Sequence, residues 1–422
     1  MSLTKKNYSS RLVDDKVENY LKLFGAVSIE GPKWCGKTWT SLNHANTVYY
    51  LDKDEVIDLA LLNVKYLYNG EYPILIDEWN LLPKVWDATR RICDEDNVKG
   101  KVILTCSTKL KDDKSKKKVK HSGSGRIGKI LMSTMSLYES GESTGKVSLT
   151  DLYNGKVKDV DKNENITLEE LAYYIVRGGW PGNLNVDEKN AHIIPNSYIE
   201  NLLEKDINDN KNRDSNKMLT LLRSLARNES SIASNKTLLN DMDEENNIES
   251  RVTLDDYLDV LTRLHVVNDQ KAYSSNYRSR ERLGKSSKRH LVDPSLVCAL
   301  LNLNTEKLFK DLNTFGLLFE SLVYRDLSVY MNYLDGKVYH FRDNVSGLEV
   351  DSILEFFDGE YAAVEVKLSL NDVEQAKKNL IKFSNLMIKK PKFMCIIVGY
   401  TDAIIKDEET GIYIIPITAL KP

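Results

Sequence analysis

A glycine-rich loop near the amino terminus constrains the fold of this chain more than any other feature. The loop GPKWCGKT (residues 31–38) follows the apolar stretch FGAVSIE and precedes the start of a helical pattern. Its two glycines let the backbone turn so that N–H groups point at phosphate oxygens at a helix amino terminus. Lys37 would place a positive charge on the terminal phosphates, and the Thr38 hydroxyl would bind Mg²⁺. We therefore predict an α/β domain with a parallel sheet whose first strand ends at a nucleotide-binding loop.

The predicted nucleotide-binding set includes the residues in the variable positions of the loop. Its members are Gly31, Trp34, Cys35, Gly36, Lys37 and Thr38. We expect backbone N–H groups to bind the phosphates while the side chains of Trp34 and Cys35 point outward. Cys35 is interpreted as a small packing residue rather than a nucleophile, because no histidine partner is evident beside it.

An acidic pair follows the apolar stretch YPILI. Asp77 and Glu78 would therefore lie at the carboxyl end of a buried strand. We predict that Asp77 holds magnesium and that Glu78 polarises the attacking water. The alternative is that the pair caps the next helix, but the phosphate-binding loop upstream favours the catalytic interpretation.

Two further apolar segments complete the predicted sheet. TVYYLD (47–52) is interpreted as an extra strand between the loop and the acidic pair, and KVILTCST (101–108) as the strand that follows. An extra strand and a glutamate directly after the aspartate are typical of the P-loop ATPases that use a catalytic glutamate. In that arrangement the fourth strand ends between the two motifs, so Thr105 or Ser107 would contact the γ-phosphate of ATP. We favour Ser107.

Two arginines are further candidates for contact with the nucleotide. Arg126, in the turn HSGSGRIG before a predicted fifth strand, would either reach phosphate or remain exposed in the turn. If it serves a neighbouring subunit, the chain must form an oligomer. Arg177 ends a helix that starts with a capping box at Thr167 and Glu170. It would complement the helix dipole or act as a second nucleotide sensor, and we favour the first role.

The middle of the chain has the pattern of a winged helix-turn-helix domain. Three helical segments, KMLTLLRSLARN, NKTLLNDM and VTLDDYLDVLTRL, precede an extended pair. The third helix would be the recognition helix, yet it carries Asp255, Asp256 and Asp259, which would repel phosphate. Packing against a protein partner is therefore an alternative to binding DNA.

Charged residues on two predicted strands near the carboxyl terminus indicate a second site. GLEVDSILEF contains Asp351, and EYAAVEVKLS contains Glu365 and Lys367 at positions that can meet on neighbouring strands. With Glu320 on the preceding amphipathic helix, they would hold one or two Mg²⁺ ions for phosphodiester cleavage. We assign metal binding to Glu320, Asp351 and Glu365, and catalysis to Asp351, Glu365 and Lys367. Ordinary cross-strand ion pairs are the alternative.

The chain resembles prokaryotic AAA+-like ATPases that carry a C-terminal domain related to PD-(D/E)xK nucleases. The resemblance covers nearly the whole length and is carried by GPKWCGKT, ILIDEW, ILTCST, HSGSGRI, SLYESG, VRGGWPG, KRHLVDPSL, FGLLFESLVYRDL and GLEVD…AVEVK. It implies ATP binding and hydrolysis by Lys37, Thr38, Asp77 and Glu78, and a nuclease-type fold that brings the C-terminal charged residues together. Val350 stands where the family usually has a proline.

Length and composition limit the remaining possibilities. The 422 residues suffice for several domains. We predict a P-loop ATPase domain (1–160), a helical lid (161–215), a winged-helix domain (216–300) and a nuclease-like α/β domain (301–422). Five cysteines without CxxC spacing argue against zinc and disulfides and indicate a reducing compartment. No apolar run is long enough to span a membrane, so we expect a cytoplasmic protein without a membrane partner.

Two functional hypotheses follow from these features. In the first, the ATP cycle controls a nuclease-like module on DNA or another nucleic acid. The net charge of −3 decides nothing about partners, but the basic segments 109–121 and 277–290 could contact a phosphate backbone, or form solvated loops. In the second, the chain is an ATP-dependent switch that binds a protein partner, with the C-terminal fold as an inert scaffold.

Overall fold

Two compact units make up the chain. A computed structural model describes residues 3–96, 98–109, 122–157, 166–207, 214–243, 250–274, 286–343 and 345–422. The first unit comprises Met1–Thr134 and Val260–Val266, and the second comprises Met135–Asp259 and Val267–Pro422. Most of the two basic segments, residues 110–121 and 277–285, lies outside the described residues.

A five-stranded parallel sheet forms the centre of the first unit. Its strand order is β2-β3-β4-β1-β5, so β4 lies between β1 and β3, and the predicted parallel α/β fold is confirmed. The strands are β1 (Ala26–Glu30), β2 (Thr47–Tyr50), β3 (Ile74–Asp77), β4 (Val102–Cys106) and β5 (Ile127–Leu131).

Helices cover both faces of this sheet, which is why its central strands are continuous apolar runs. Ile76 and Leu104 contribute to the core on one face, whereas Leu75 and Ile103 contribute to the core on the other. The helices of the unit are α1 (Val13–Leu23), α2 (Lys37–Asn43), α3 (Asp54–Leu62) and α4 (Lys84–Asp96), with 3-10 turns at Val64–Tyr68 and Trp79–Leu81.

The described residues between 135 and 333 are mainly helical. The predicted capping box is confirmed: Thr167 accepts a hydrogen bond from the Glu170 N–H, Glu170 accepts one from the Thr167 N–H, and the helix ends at Arg177. The helices are α5 (Leu137–Ser140), α6 (Leu149–Tyr153), α7 (Leu168–Arg177), α8 (Ile193–Asn201), α9 (Ser215–Arg227), α10 (Asn235–Asp243), α11 (Arg251–Arg263), α12 (Pro294–Leu301), α13 (Thr305–Lys310) and α14 (Leu312–Tyr333); Leu202–Ile207 form a π-helical turn and Pro181–Asn183 and Glu188–Asn190 form 3-10 turns.

Antiparallel bridges connect segments on either side of α10 and α11. Val267 pairs with Leu291, Gln270 pairs with Lys288, and Ser231 pairs with Arg289. The segment that ends at Leu291 therefore pairs both with the chain after α11 and with the chain between α9 and α10.

A seven-stranded mixed sheet dominates the C-terminal part of the second unit. Its order is β12-β13-β11-β10-β9-β8-β7, with β8, β9 and β10 antiparallel and β10, β11 and β13 parallel. Helix α15 (Val373–Leu386) packs on this sheet. The strands are β7 (Lys271–Ala272), β8 (Lys337–Arg342), β9 (Glu349–Glu355), β10 (Tyr361–Lys367), β11 (Met394–Val398), β12 (Ile405–Lys406) and β13 (Tyr413–Pro416), and a separate pair joins β6 (Val147–Ser148) to β14 (Leu420–Lys421); Leu370–Asp372 and Ile417–Ala419 form 3-10 turns.

No helix in the described ranges is both long enough and apolar enough to cross a membrane.

A buried polar network joins four sequence motifs within the second unit. Asp293 caps α12, accepts a hydrogen bond from the Gly179 N–H at 3.0 Å and pairs with Arg325 at 3.2 Å. Arg325 also pairs with Asp326, which accepts a hydrogen bond from the Leu137 N–H at 3.0 Å. One cluster of buried charges therefore connects the motifs SLYESG, VRGGWPG, KRHLVDPSL and FGLLFESLVYRDL.

We predict that Asp293→Ala strongly destabilises the second unit. The substitution leaves the Arg325 charge buried with one partner fewer, and breaking such a pair costs about 3–5 kcal/mol. Asp311→Ala is the control, because Asp311 caps α14 at an exposed position and its loss costs about 1 kcal/mol. Urea unfolding followed by circular dichroism measures both, and equal losses would contradict the proposed importance of the network.

Candidate functional site

The predicted phosphate-binding loop lies directly between β1 and α2. Glu30 ends β1 and Lys37 begins α2. A Cβ atom on Gly31 would lie 2.1 Å from the Met132 carbonyl oxygen, so no side chain fits there. Gly36 has φ +102°, a conformation that favours glycine. Glycine is thus required at residue 31 because the backbone of Met132 lies too close for a side chain. It is favoured at residue 36 because the backbone is left-handed there.

Lys37 is buried and its side chain folds back across the loop. Its ammonium Nζ donates to the carbonyl oxygens of Gly31 at 3.0 Å and Pro32 at 2.8 Å. No carboxylate in the described part of the chain pairs with this ammonium group. A buried cation with only neutral partners fits a site that receives an anion.

Asp77 is the centre of a hydrogen-bond network at the carboxyl ends of β3 and β4. Its Oδ1 accepts hydrogen bonds from the Thr38 hydroxyl at 3.0 Å and from the Thr105 hydroxyl at 2.5 Å. Burial raises the pKa of Asp77, while the hydrogen bonds from Thr105 and Thr38 and the charge of Lys37 act against that shift. A hydroxyl and a carboxylate in contact supply the oxygen ligands that Mg²⁺ prefers, so Thr38 and Asp77 fit the predicted metal.

Glu78 follows Asp77 in a left-handed backbone conformation, with φ +53°. Its N–H donates to the Thr105 hydroxyl at 3.0 Å, and its carboxylate accepts a hydrogen bond from the Ser107 hydroxyl at 3.0 Å. Burial raises the pKa of Glu78, and the charge of Lys37 opposes this effect. Strained backbone of this kind is concentrated at functional sites, and it turns the Glu78 carboxylate toward Ser107 rather than along the strand.

The register of the sheet explains why Thr105 and Ser107 reach the acidic pair. Ile29 on β1 pairs with Thr105 on β4, and Ile76 on β3 pairs with Leu104. The end of β4 therefore lies between the loop and the acidic pair. Each of the two residues considered in the sequence has its own partner: Thr105 binds Asp77, and Ser107 binds Glu78.

The two variable residues of the loop differ from each other in exposure. Trp34 is 44% exposed and has φ +62°, whereas Cys35 is fully buried. The expectation that both side chains point outward is therefore wrong for Cys35, because the left-handed conformation of Trp34 sends consecutive side chains to opposite sides. The interpretation of Cys35 as a packing residue agrees with its burial.

Arg11 is a contact of the loop that the sequence did not reveal. This buried residue donates from Nη1 to the Cys35 carbonyl oxygen at 2.8 Å and from Nη2 to the Ser133 carbonyl oxygen at 2.9 Å. By binding a carbonyl oxygen in each, Arg11 links the loop to the segment after β5. No local pattern distinguishes Arg11 from the other charged residues near the amino terminus.

His265 is a second residue that sequence reasoning missed. It has φ +57°, and its buried Nε2 has no hydrogen-bond partner among the described residues. Burial, together with the positive charges of Lys109 and Lys37, lowers its pKa to about 3. A neutral imidazole with an unpartnered nitrogen therefore lies within electrostatic range of the loop lysine.

The prediction that Arg126 contacts the nucleotide phosphate of its own chain is wrong. Arg126 precedes β5, and its carbonyl oxygen accepts a hydrogen bond from the Ala26 N–H at the start of β1. It therefore lies at the amino edge of a parallel sheet, whereas the loop lies at the carboxyl edge. Its side chain is half exposed and pairs with Asp94 at 2.8 Å. The alternative, an exposed arginine in a turn, is what the structure shows.

Arg177 is held by partners within the second unit. Its guanidinium, nearly fully buried, pairs with Glu142 at 2.6 Å and lies over the rings of Tyr173 and Tyr174. Ion pairing and stacking therefore account for this arginine.

The predicted C-terminal residues come together in the second unit as one group, which we call the carboxylate cluster (Glu320, Asp351, Glu365 and Lys367). Lys367 Nζ lies 2.9 Å from Glu365 Oε2 and 3.5 Å from Asp351 Oδ2. Burial and the Asp351 charge raise the pKa of Glu365 to about 8. The sequence did not predict Lys288, whose Nζ lies 2.5 Å from Glu320 Oε1 and 3.7 Å from Asp351 Oδ1.

The carboxylate cluster does not fit the predicted magnesium ions as it stands. Each of its carboxylates already has an ammonium group within 4 Å. In the described ranges, no group of three or more histidine, cysteine or acidic side chains is arranged to hold a metal ion. Ordinary ion pairs, the alternative, describe these contacts: Asp351 and Lys367 pair across neighbouring strands, and Glu365 and Lys367 pair within one strand.

The described end of the second basic segment does not form an exposed basic surface. Lys288 pairs with Glu320, Arg289 pairs with Asp269 at 2.5 Å, and the His290 ring contacts Glu229 at 2.9 Å. All three side chains are largely buried. Intramolecular partners therefore already occupy these three side chains, whereas residues 277–285 of the segment lie outside the described residues.

Family comparisons agree with the site in the first unit. Residues 24–141 match a family described as an AAA domain. Residues 168–307 and 315–420 match two domains of unknown function (DUF8612 and DUF4143). Among curated protein sequences, none matches the chain.

Solved structures supply two further likenesses. A Walker-type ATPase of Pyrococcus abyssi is 13% identical, with 71% of this chain and 99% of that chain covered and a TM-score of 0.44. A STAND signal-transduction ATPase with a tetratricopeptide repeat sensor from Pyrococcus horikoshii is 14% identical, with 79% and 51% covered and a TM-score of 0.26. Both scores are low, so the assignment depends on the family match and on the geometry of the site.

The loop, the acidic pair and the strand between them define a P-loop nucleotide-binding site. Together with the family match, they show that residues 24–141 form a P-loop ATPase domain of the AAA class.

We predict that Lys37→Ala abolishes or severely weakens ATP binding. The substitution removes the buried cation that crosses the loop, while the backbone conformation depends on the glycines. Lys33→Ala is the matched control, because it removes a lysine from a variable position of the same loop. Isothermal titration with a non-hydrolysable ATP analogue measures both, and unchanged affinity in Lys37→Ala would remove the assignment of the loop.

Proposed function

We propose that this protein binds and hydrolyses ATP with Mg²⁺ at the P-loop of its first unit. The observation that carries the proposal is the continuous polar network from Thr38 through Asp77 and Thr105 to Glu78 and Ser107. The network supports the assignment of Thr38 and Asp77 as metal ligands and of Glu78 as the general base, because all three lie at the carboxyl edge of one sheet. Lys37 and the backbone N–H groups of the loop would bind the phosphates.

Each residue of the network has a distinct role in the proposed reaction. Thr38 and Asp77 would hold Mg²⁺, which neutralises charge on the phosphates. Glu78 would orient the attacking water and accept its proton. Ser107 holds the Glu78 carboxylate at 3.0 Å, and Thr105 fixes both the Asp77 carboxylate and the Glu78 backbone. Thr105 and Ser107 would therefore act by positioning the acidic pair.

The remaining domains are proposed to transmit the nucleotide state to a partner. The order of α9, α10 and α11, followed by the antiparallel pairing at Val267 and Gln270, supports a winged-helix domain. Because Arg289 and Lys288 are buried in ion pairs, we favour a protein partner over nucleic acid. The C-terminal fold would then be a scaffold without catalytic activity.

ATP-controlled cleavage of nucleic acid is the second candidate. The convergence of Asp351, Glu365 and Lys367 with Glu320 favours it, since a nuclease-type site of the PD-(D/E)xK kind needs these residue types together. Cleavage would require a metal ion to compete with the Lys288 ammonium for Glu320, because that positive charge already lies 2.5 Å from Glu320 Oε1.

We predict that Glu78→Gln binds ATP but turns it over about 10²- to 10⁴-fold more slowly, the usual contribution of a general base. The amide keeps the size of the side chain and removes its capacity to accept a proton. Glu71→Gln, at an exposed position of the same unit, is the control. Phosphate release and analogue binding are measured together, and normal hydrolysis in Glu78→Gln would assign the base to another residue.

We predict that wild-type protein with Mg²⁺ and ATP does not cleave supercoiled, linear or single-stranded DNA. The ammonium groups that already pair with the carboxylates of the cluster compete with a metal ion for them. Gel assays with wild type and Asp351→Ala measure this. Cleavage by wild type that disappears in Asp351→Ala would favour the nuclease candidate over the switch.

A further inference from the structure

We propose that the ammonium group of Lys288 occupies the cation position of the carboxylate cluster, so that the cluster is closed to divalent metal ions. The inference concerns the second unit alone and does not depend on ATP hydrolysis by the first. It also bears on the choice between the two proposed roles of the C-terminal fold.

The geometry around Lys288 is that of a shared cation. Its Nζ lies 2.5 Å from Glu320 Oε1 and 3.7 Å from Asp351 Oδ1, so it bridges a helix and a strand. Lys367 Nζ bridges the other Asp351 oxygen and Glu365 in the same way. Asp351 is thus held between two ammonium groups, with a different oxygen facing each.

The lysine is fixed in this position by its backbone. The Lys288 N–H donates to the Gln270 carbonyl oxygen, and the Gln270 N–H donates to the Lys288 carbonyl oxygen, both at 2.9 Å. The Gln270 side chain in turn donates to the Asp351 carbonyl oxygen at 3.0 Å and to the Ser352 hydroxyl at 3.1 Å. The strand segment that carries Lys288 is therefore attached to the strand that carries Asp351.

Charge balance explains why the lysine is required. Glu365 is buried and Glu320 and Asp351 are largely buried beside it. The three carboxylates repel one another, and such a charge is costly unless it is paired. A divalent ion is one way to neutralise such a group. Lys288 and Lys367 supply two positive charges instead, so a metal ion would have to displace Lys288 from Glu320 before it could bind.

The substitution Lys288→Met should open the cluster. Methionine keeps much of the apolar length of the lysine side chain and removes the charge, which makes Glu320 Oε1 and Asp351 Oδ1 available as oxygen ligands. We expect Mn²⁺ affinity to rise by about tenfold or more, since a like charge within 4 Å of the metal position is removed. Lys288→Arg keeps the charge and should gain no Mn²⁺ binding.

The test uses full-length protein without nucleotide, titrated with MnCl₂ while free Mn²⁺ is followed by electron paramagnetic resonance. In the wild-type protein, we expect no Mn²⁺ site that is lost when Asp351 is replaced by Asn. In Lys288→Met, we expect one Mn²⁺ site that is lost when Asp351 is also replaced. Lys377→Met is the matched control, because Lys377 also pairs with two carboxylates, those of Glu374 and Asp407. It should gain no site that depends on Asp351.

Thermal unfolding with and without Mn²⁺ makes the test decisive even where the variant is unstable. Lys288→Met should unfold at a lower temperature than wild type, and Mn²⁺ should raise that temperature in the variant only, because a ligand of the folded state stabilises it. Two results would overturn the inference. One is a Mn²⁺ site in wild type that requires Asp351; the other is a Lys288→Met variant that Mn²⁺ neither binds nor stabilises.

Discussion

The nucleotide site depends on two hydrogen bonds that Asp77 accepts, one from the Thr38 hydroxyl and one from the Thr105 hydroxyl. They join the loop after β1 to the carboxyl end of β3 through the strand that lies between them. A buried carboxylate needs such donors, because burial alone raises its pKa and disfavours its charged form. The same network sets the backbone of Glu78, whose N–H donates to Thr105. One residue on β4, Thr105, thus positions both the proposed metal ligand and the proposed base.

Much of this site could be predicted because its determinants are local. Glycines at fixed spacing, a lysine and a threonine at a helix start, and acids after an apolar run each follow from backbone geometry over a few residues. The order of the strands was indicated by the extra apolar segment 47–52 between the phosphate-binding loop and the acidic pair. Arg126 was placed wrongly because a residue before a parallel strand lies at the edge of the sheet opposite the loop. That topological rule outweighs the local resemblance of its turn to a phosphate-binding segment.

Contacts between distant parts of the sequence could not be predicted. Arg11 reaches Ser133, and Lys288 reaches both Glu320 and Asp351. The spacing of Asp351, Glu365 and Lys367 predicted their convergence but not the ammonium group that neutralises them. The family pattern describes which residues meet, whereas the electrostatic state of the group depends on a lysine from another segment of the chain. The same carboxylates can therefore match the sequence motif of a metal site and yet form ion pairs with lysines in the folded protein.

The two units illustrate different solutions to the burial of acidic residues. In the first, hydroxyl groups support Asp77 and leave the positive charge of Lys37 for an anionic ligand. In the second, ammonium groups pair with the carboxylates directly. The first arrangement is open to a metal–phosphate complex and the second is already neutralised, which is why we assign the chemistry to the P-loop.

A crystal structure with Mn²⁺ and a non-hydrolysable ATP analogue tests the central claim most directly. Anomalous scattering locates the metal without reference to the interpretation of the protein. The account predicts one manganese peak in the first unit, bound by the analogue's phosphates beside Thr38 and Asp77, with Lys37 on the terminal phosphates. An empty loop, or an analogue bound elsewhere with no manganese beside Asp77, would contradict it.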